Sequence, residues 1–422
     1  MEWVRTNRRS LAKFVLSAAV LATAAVIPAA AQESIKVGLL LTQVGPTALF
    51  ARDEARAAQM YIDEVNKAGG VNGKKIELIN LDTEGKPDRA GSLYRRLAQQ
   101  DGVVAVIGPD SVFITLGMQG IPSEVQVMSV AAPGLYEFVK PEFRDYIVSA
   151  WTAYSFAGSL AMAYHADKFK VKRVGMITTA DAVGQRLAAT AKKVGEKIGV
   201  EVISEAQPAS DRDLLPSLRK LASASPAIDA LYVFGSGPFA NIAMNQAELA
   251  GLNVPILYTG GNVIPSLVSE LSPQVAAKVF FTNARGGVAG DTLPDSDPYK
   301  KKIQEFNVAF KAKFGDDATL PAAVGYDMAQ TIVDAIRAVG PDRVAIAEYI
   351  RGKQHFAGIQ GVEFARTKKG NGYGVNPDQL IIATIKNGKF AFAGYLKDSL
   401  AKVGLTPAVI EQLMKEESIV LD

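Results

Sequence analysis

The chain has 422 residues, with 46 Lys and Arg, 43 Asp and Glu, and no cysteine, which excludes disulfides, thiolate metal sites and cysteine nucleophiles. Four basic residues and one acidic residue lie in positions 1–31, so the remainder carries 42 charges of each sign and is formally neutral. A neutral chain has no general electrostatic attraction for nucleic acid or anionic lipid, and we therefore expect no nucleic-acid partner.

The first 31 residues have the pattern of an export signal. Basic residues precede an apolar stretch over 11–27, which is followed by three alanines that end at Ala31. A membrane anchor would need about 20 unbroken apolar residues, and this stretch is shorter. We therefore predict cleavage after Ala31 and a periplasmic location. The pair Arg8 and Arg9 resembles the twin-arginine export pattern, but adjacent arginines also occur in ordinary signals, so the route stays open.

From residue 35 onward, short β-branched runs alternate with longer amphipathic runs, which indicates parallel sheets with crossover helices. Strands are predicted at 35–41, 76–81 and 103–107, and helices at 47–67, 89–100 and 112–124. A second sheet is predicted from strands at 174–178, 200–204 and 228–234. The strands are nearly continuously apolar, which suits sheets covered on both faces. A mature chain of roughly 390 residues is better divided into two doubly wound α/β lobes than packed around one core.

Glycine and proline mark the strand-to-helix turns of both predicted lobes. These turns are Gly45-Pro46, Gly108-Pro109, Gly237-Pro238 and Gly260-Gly261. In open α/β sheets, ligands lie beyond the carboxyl ends of the strands, over such turns, and the following helix starts with backbone N–H groups that can hold an anion. Any one of these glycines is more often only a turn former. Their recurrence in both lobes predicts a ligand cleft between the lobes.

No catalytic or metal-binding constellation is present in the sequence. His165 and His355 are the only histidines, and their charged neighbours predict exposed positions without the spacing of a metal-binding pair. The run Gly235-Ser236-Gly237 after an apolar strand weakly resembles a nucleophile elbow but lacks the G-x-S-x-G spacing. We therefore predict no enzyme activity, no cofactor and no metal site.

Several motifs follow one another in a characteristic order. They are Ile35-Lys36-Val37-Gly38 leading to Gly45-Pro46, Tyr61 to Asn66 followed by Gly69 to Gly73, Asp82 with Lys86-Pro87-Asp88, Val104 to Pro109, and Val324-Gly325-Tyr326-Asp327. Their order and spacing resemble the periplasmic leucine/isoleucine/valine-binding family of ABC-importer receptors, across essentially the whole mature chain.

The resemblance implies a type I periplasmic-binding-protein fold, or Venus flytrap, in which the chain crosses between two lobes three times. We place the crossings near Ser149, Thr282 and Ala357. The resulting boundaries are 35–149 plus 283–356 for lobe one, 150–282 plus 357–397 for lobe two, and 398–422 for a C-terminal tail with the composition of a peripheral helix. A ligand would contact both lobes only when they meet, so binding would favour the closed form. Inner-membrane permease subunits would recognise that form, and we expect the receptor to be a monomer.

The resemblance also implies which positions face the ligand. The family holds the carboxylate and ammonium of an α-amino acid with hydroxyl side chains and one carboxylate. In this sequence its serine falls on Val112, beside Ser111, its threonine on Leu135, its acidic residue on Gly260 or Gly261, one lobe-two tyrosine on Val183, and a further position on Ser236 or Gly237. Only the aromatic residue of the first loop is kept in kind, as Phe50. The resemblance thus implies a receptor whose usual amino-acid substrate is in doubt.

Apolar and aromatic residues dominate the predicted cleft. They are Phe50, Phe113, Leu135, Tyr136, Trp151, Tyr154 and Phe239, with Arg52 and Arg285 as candidate anion partners. This set predicts an apolar or aromatic carboxylate as ligand. Core packing is the commoner use of a phenylalanine early in a helix, as at Phe113 and Phe239. The two arginines could equally pair with Asp53 and Asp291 at the surface.

Three alternatives stay open at this point. They are a receptor for branched-chain amino acids or a short amide, a ligand-sensing regulator with the same fold, and a periplasmic enzyme acting on small amides or esters. A cytoplasmic sensor would not need an export signal. The enzyme interpretation lacks a nucleophile, a base and an orienting group at mutual spacing.

Overall fold

The computed structural model describes residues 34–45, 48–132, 134, 139–151, 154–235, 238–259, 264–288, 290–352, 358–360, 365–366, 373–374 and 379–417. Several predicted features lie outside these residues: the signal 1–31, Leu135, Tyr136, Ser236, Gly237, Gly260, Gly261, His355, Ala357 and the side chain of Tyr154.

The first sheet is fully parallel, with the strand order β2-β1-β3-β4-β5. Its strands are β1 (Ile35–Leu41), β2 (Ile76–Asp82), β3 (Ala105–Ile107), β4 (Met128–Ala131) and β5 (Ile147–Ser149). The helices between them are α1 (Ala48–Lys67), α2 (Pro87–Arg96), α3 (Val112–Met118) and α4 (Ile121–Val125). Every residue of β1 except Lys36 is buried, as expected for a strand covered on both faces.

The second sheet has seven strands in the order β14-β13-β10-β9-β8-β6-β7. Its strands are β6 (Arg173–Thr179), β7 (Glu201–Gln207), β8 (Ala230–Phe234), β9 (Ile256–Thr259), β10 (Val279–Asn283), β13 (Ile381–Lys386) and β14 (Lys389–Tyr395), and a separate short pair is β11 (Ala365–Arg366) with β12 (Tyr373–Gly374). Strands β6 to β10 are parallel, as predicted. Strands β13 and β14 form an antiparallel hairpin on one side, which departs from the predicted purely parallel sheet.

Helices cover the second sheet and return the chain to the first. On the second sheet lie α5 (Tyr154–Leu160), α6 (Met162–Phe169), α7 (Ala182–Ile198), α8 (Leu215–Ala222), α9 (Pro238–Leu249), α10 (Pro265–Val268) and α11 (Pro273–Ala276). The returning helices are α12 (Lys300–Phe314), α13 (Leu320–Val339) and α14 (Arg343–Gly352). Helix α13 packs along α1 and reaches β3 and β4, while α14 contacts β4.

The two sheets define two lobes, and the chain passes between them three times. It leaves lobe one after β5 and enters lobe two at α5, which packs on α7 and β9. It returns between β10 and α13, and it crosses again between α14 and β13. The predicted two-lobe α/β architecture is confirmed.

The C-terminal segment packs on lobe two rather than extending from it. It contains α15 (Lys397–Leu400) and α16 (Pro407–Glu416). The buried carboxylate of Glu417 accepts hydrogen bonds from the Thr190 hydroxyl at 2.7 Å and from Lys193 Nζ at 2.6 Å, both on α7. None of the described helices combines the length and the apolar character needed to cross a membrane.

Candidate functional site

The carboxyl ends of three adjacent strands in lobe one are joined by a buried polar network. The Thr42 hydroxyl lies 2.9 Å from the Thr83 hydroxyl and donates to Asp110 Oδ1 at 2.9 Å. Thr42 N donates to the same oxygen at 2.8 Å. These contacts fix the loop after β3 to the loops after β1 and β2, at the sheet edge where ligands bind in open α/β folds. The network therefore positions Ser111 and Val112, which follow Asp110.

The start of α3 presents two of the predicted ligand residues in different environments. Ser111 is the N-cap residue, and its side chain makes no capping hydrogen bond to the helix. Val112 is half-buried and packs against a small apolar cluster that includes Val139 and Ile147. Phe113 is 70% exposed, so the expectation that a phenylalanine at this position packs in the core is wrong.

Phe50 lies at the start of α1, half-buried, near two charged neighbours. Arg52 Nε lies 3.2 Å from Asp53 Oδ1. The two residues therefore form the ion pair that the sequence analysis gave as one alternative. Asp53 is buried and also accepts a hydrogen bond from the Thr319 hydroxyl at 2.9 Å. The acidic partner of Arg52 is therefore itself anchored to the start of α13.

Glu54, which the sequence interpretation missed, is the most unusual titratable group at this edge. It is buried, and its Oε2 has no hydrogen-bond partner among the described residues. Burial, with the nearby charges of Asp110 and Asp53, raises the pKa of Glu54 well above its ordinary value. An acidic residue among the buried positions of an amphipathic helix, between Ala51 and Ala57, was the sequence signal that could have identified it.

On lobe two, Val183 is half-buried in the first turn of α7. The N-cap residue Asp181 accepts hydrogen bonds from Gly184 N at 2.8 Å and from the Thr179 hydroxyl at 3.1 Å. This carboxylate already occupies the positive end of α7. A ligand carboxylate placed there would meet a like charge, so the start of α7 is a poor anion site.

Trp151 lies in the first crossing, half-buried and packed against the main core. The Ser149 hydroxyl donates to Trp151 O at 3.0 Å and lies 3.2 Å from Trp151 N, which donates to it. This local turn holds the tryptophan where the chain leaves lobe one.

Arg285 is buried and belongs to a cluster of lobe two rather than to an exposed ion pair. Its Nε donates to Asp297 Oδ2 at 2.7 Å, so its partner is Asp297 and not the predicted Asp291. Its guanidinium lies 5.2 Å from the ring centre of Tyr299 and 5.5 Å from that of Tyr395. The charge of Arg285 is therefore compensated within the fold, and contact with a ligand anion stays a prediction.

Two further residues that the sequence analysis named, His165 and Phe239, are buried in the core. His165 is buried, so its predicted exposure is wrong, and burial lowers its pKa to about 3. Phe239 is buried and packs beneath Gly235, which is the core position favoured by its place early in α9. Among the residues that the structure describes, no group of three or more histidine, aspartate and glutamate side chains could hold a metal ion.

Comparison with known proteins identifies the family. A family model described as periplasmic binding protein matches residues 34–389. The chain belongs to this family. A leucine-, isoleucine-, valine-, threonine-, and alanine-binding protein of Pseudomonas aeruginosa is 25% identical over 327 residues, covering 75% of this chain and 82% of the relative.

Two solved structures show the same fold. The branched-chain amino acid transporter substrate binding protein LivJ from Streptococcus pneumoniae, in complex with isoleucine, has a TM-score of 0.71 at 23% identity and covers 86% of this chain and 100% of that chain. A solute binding protein of an ABC transporter from R. palustris, in complex with benzoate, has a TM-score of 0.71 at 20% identity. The match covers 86% of this chain and 96% of that chain.

Membership establishes the general role. The relatives are substrate-binding receptors, not enzymes, and the chain is a member of the periplasmic binding protein family. Such proteins are periplasmic and bind a small molecule for their transporter, which implies permease partners.

Proposed function

We propose that this receptor captures an apolar, aromatic carboxylate rather than an α-amino acid, and delivers it as a monomer to inner-membrane permease subunits. The observation that carries the proposal is the environment of Val112. Its side chain packs on an apolar cluster at the start of α3, where the family resemblance implies a hydroxyl. A solved protein of this fold was obtained with benzoate and another with isoleucine, so both ligand classes suit the architecture.

The electrostatic cost of an ammonium group favours this ligand class. The position implied for the acidic partner of the ammonium carries Gly260 or Gly261, which have no charge. A buried charge left without its partner costs about 2 to 5 kcal/mol. Because each 1.4 kcal/mol is about a tenfold change in affinity, a micromolar leucine site would weaken to roughly the millimolar range.

Different residues would contact the ring and the carboxylate of an aromatic acid. Phe50 is half-buried beside the cleft edge of lobe one, where a ligand ring would stack against it. The Ser111 side chain caps no helix N–H group, which leaves its hydroxyl able to donate to a carboxylate. Asp181 disfavours the corresponding position on lobe two, so we place the carboxylate against lobe one.

Calorimetric titration tests this assignment. We expect micromolar binding of a benzoate or cinnamate, and millimolar or undetectable binding of leucine, isoleucine and valine. Ser111→Ala should weaken the aromatic acid about tenfold, because a hydrogen bond to a charged group is lost. The control Ser92→Ala, whose hydroxyl donates to Asp88 O on the exposed face of α2, should have no effect. Micromolar leucine binding without a response to any aromatic acid would overturn the proposal.

A branched-chain amino acid is the second candidate because of Glu54. One oxygen of its buried carboxyl has no hydrogen-bond partner in the part of the chain that the structure describes, and the carboxyl lies near Asp110, so an ammonium group could pair with it. Under this alternative, Glu54→Gln would weaken leucine binding strongly. Under the first proposal, Glu54→Gln would leave the affinity for an aromatic acid within about twofold, since no ammonium is present.

Export by residues 1–31 also belongs to the proposal. The signal pattern agrees with the periplasmic family, and Arg8 and Arg9 leave the twin-arginine route open. N-terminal sequencing of the periplasmic protein should begin at Gln32, and a start at Met1 would contradict it.

A further inference from the structure

The third crossing is clamped to lobe one by a buried carboxylate. Asp327, on α13, accepts a hydrogen bond from Ile359 N through Oδ1 at 2.6 Å. Its Oδ2 accepts from Gln360 N and from Gln360 Nε2, each at 3.1 Å. Burial raises the pKa of Asp327 to about 6, which still leaves a carboxylate to accept these bonds at neutral pH.

The other two crossings bond to the same glutamine. Gln360 Nε2 donates to Ala150 O of the first crossing at 2.9 Å. Gln360 O accepts from Gly286 N of the second crossing at 3.3 Å. Ala150 N in turn donates to Ala131 O at the end of β4, at 2.7 Å. The first and second crossings thus each have a hydrogen bond to one buried residue of the third crossing, which α13 holds in place.

The packing around these bonds leaves no room for side chains at two glycines. A Cβ atom on Gly358 would lie 2.2 Å from the carboxyl group of Asp327, and one on Gly286 would lie 2.8 Å from Ala323 Cβ. Both distances are shorter than real Cβ contacts. The close approach of the second and third crossings to α13 therefore depends on glycine at both positions.

Neighbouring residues of the second crossing are held by opposite lobes. Gly286 bonds to Gln360 on the side of lobe one. Arg285 donates to Gln379 O at 2.5 Å, next to the second sheet. Its guanidinium also lies over the ring of Tyr395, which belongs to that sheet. The attachment of this crossing therefore changes from lobe two to lobe one between residues 285 and 286.

We propose that Asp327 and Gln360 form an interlobe latch, which fastens all three crossings to lobe one and sets the ratio of open to closed receptor. Rotation of the third crossing against α13 would leave the buried N–H groups of Ile359 and Gln360 without acceptors, which is costly. The bonds from these two backbone N–H groups therefore stay intact during closure, and the rotation falls on the lobe-two side of Gln360. The two bonds that Gln360 Nε2 donates, to Ala150 O and to Asp327 Oδ2, hold in the conformation described here and break in the other, which is how they set the ratio. This inference does not depend on the identity of the ligand.

The test measures lobe separation in the ligand-free receptor. Because the sequence has no cysteine, Lys67→Cys on lobe one and Lys192→Cys on lobe two provide two unique, exposed spin-label sites. Pulsed dipolar spectroscopy then gives the distance distribution between the labels with and without Gln360→Met. This substitution keeps the side-chain size but removes the two bonds that Gln360 Nε2 donates. We expect the population ratio to shift about tenfold away from the conformation of the parent, the equivalent of two weak hydrogen bonds.

A matched control separates the latch from general loosening. Gln246 donates to Arg212 O at 3.0 Å and accepts from Leu214 N at 2.6 Å, all within lobe two. Gln246→Met should leave the distance distribution unchanged. An unchanged distribution in folded Gln360→Met, or an equal shift in Gln246→Met, would overturn the proposal.

A second measurement covers the case in which Gln360→Met fails to fold. Hydrogen exchange of the parent protein should show the Ile359 and Gln360 amides protected at least about a hundredfold more than exposed loop amides. Exchange at the rate of exposed amides would show that the latch does not hold the third crossing. The milder Gln360→Asn, whose amide falls short by one methylene, should give the same direction of shift in lobe separation.

Discussion

His165 links the stability of lobe two to pH through a single buried ring. Its centroid lies 6.2 Å from that of Tyr164 and 5.4 Å from those of Phe169 and Phe280. Its Nε2 has no hydrogen-bond partner among the described residues. Burial lowers the pKa of His165 from 6.5 to about 3. Between these two pH values the ring is neutral in the folded protein and charged in the unfolded chain.

We predict that His165→Phe flattens the pH dependence of stability. Below about pH 6.5 the unfolded chain binds a proton that the folded chain excludes, so this contribution is present above 6.5 and is lost as the pH falls toward 3. Between about pH 7 and about pH 5, the unfolding free energy of the parent should fall by about 2 kcal/mol more than that of His165→Phe, which keeps aromatic packing. Urea unfolding at both pH values measures the difference, and equal losses in the two proteins would contradict it.

The wrong prediction for His165 has a simple helical cause. Asp167 is close in sequence and indicates solvent, but it is two positions from His165 and so lies on another face of α6. Residues three or four apart share a face, and at that spacing His165 falls with Met162 and Phe169. Burial was therefore readable from the helical period, whereas the absence of a hydrogen-bond partner was not.

At the level of elements, regular strands were predictable and interruptions less so. Strand β1 matches its predicted range, β2 is longer by one residue at one end, and β6 is longer by one residue at each end. The helix predicted over 112–124 is divided into α3 and α4, because Pro122 lacks an N–H group and cannot continue a helix from α3. The β13–β14 hairpin turns on Asn387-Gly388, both with positive φ, a sequence pair that is itself a strong hairpin signal.

We predict that Glu417 anchors the C-terminal helix α16 to α7. Burial raises its pKa, but the hydrogen bonds from Lys193 and Thr190 and the charge of Arg186 hold it below the ordinary value, so the carboxylate is ionised and paired. Glu417→Gln removes this charge, and we expect about 2 kcal/mol less stability for the docked tail. The amides of α16 should then exchange hydrogen about 30-fold faster.

The same helix supplies a control for this prediction. Glu411 forms an exposed pair with Lys415 at 3.3 Å. Exposed pairs contribute little, so Glu411→Gln should leave the exchange of α16 nearly unchanged. Equal exchange rates in Glu417→Gln and the parent would show that apolar packing alone holds the tail.

At the level of the whole molecule, the sequence predicted the architecture better than the site. Alternating strands and helices require covered parallel sheets, and chain length requires two lobes, so the fold follows from local patterns. The site depends on contacts between distant residues, such as Thr42 with Asp110, and Arg285 with Asp297 and Gln379. Which partner each charge finds is decided by the packed loops, and no local pattern carries that information.

We predict that the lobes close on the ligand and that Trp151 reports the motion. Apart from Trp3 in the predicted signal, Trp151 is the only tryptophan of the chain, and it lies in the first crossing next to Ala150, whose carbonyl bonds to Gln360. Closure rotates lobe two against this segment, so the environment of the half-buried indole should change. With an acid that calorimetry has shown to bind, small-angle scattering should show a smaller radius of gyration, and tryptophan fluorescence should shift at the same ligand concentration. Trp151→Phe should abolish the fluorescence response and retain the compaction. Saturation without compaction would mean that this receptor binds its ligand within a fixed arrangement of lobes.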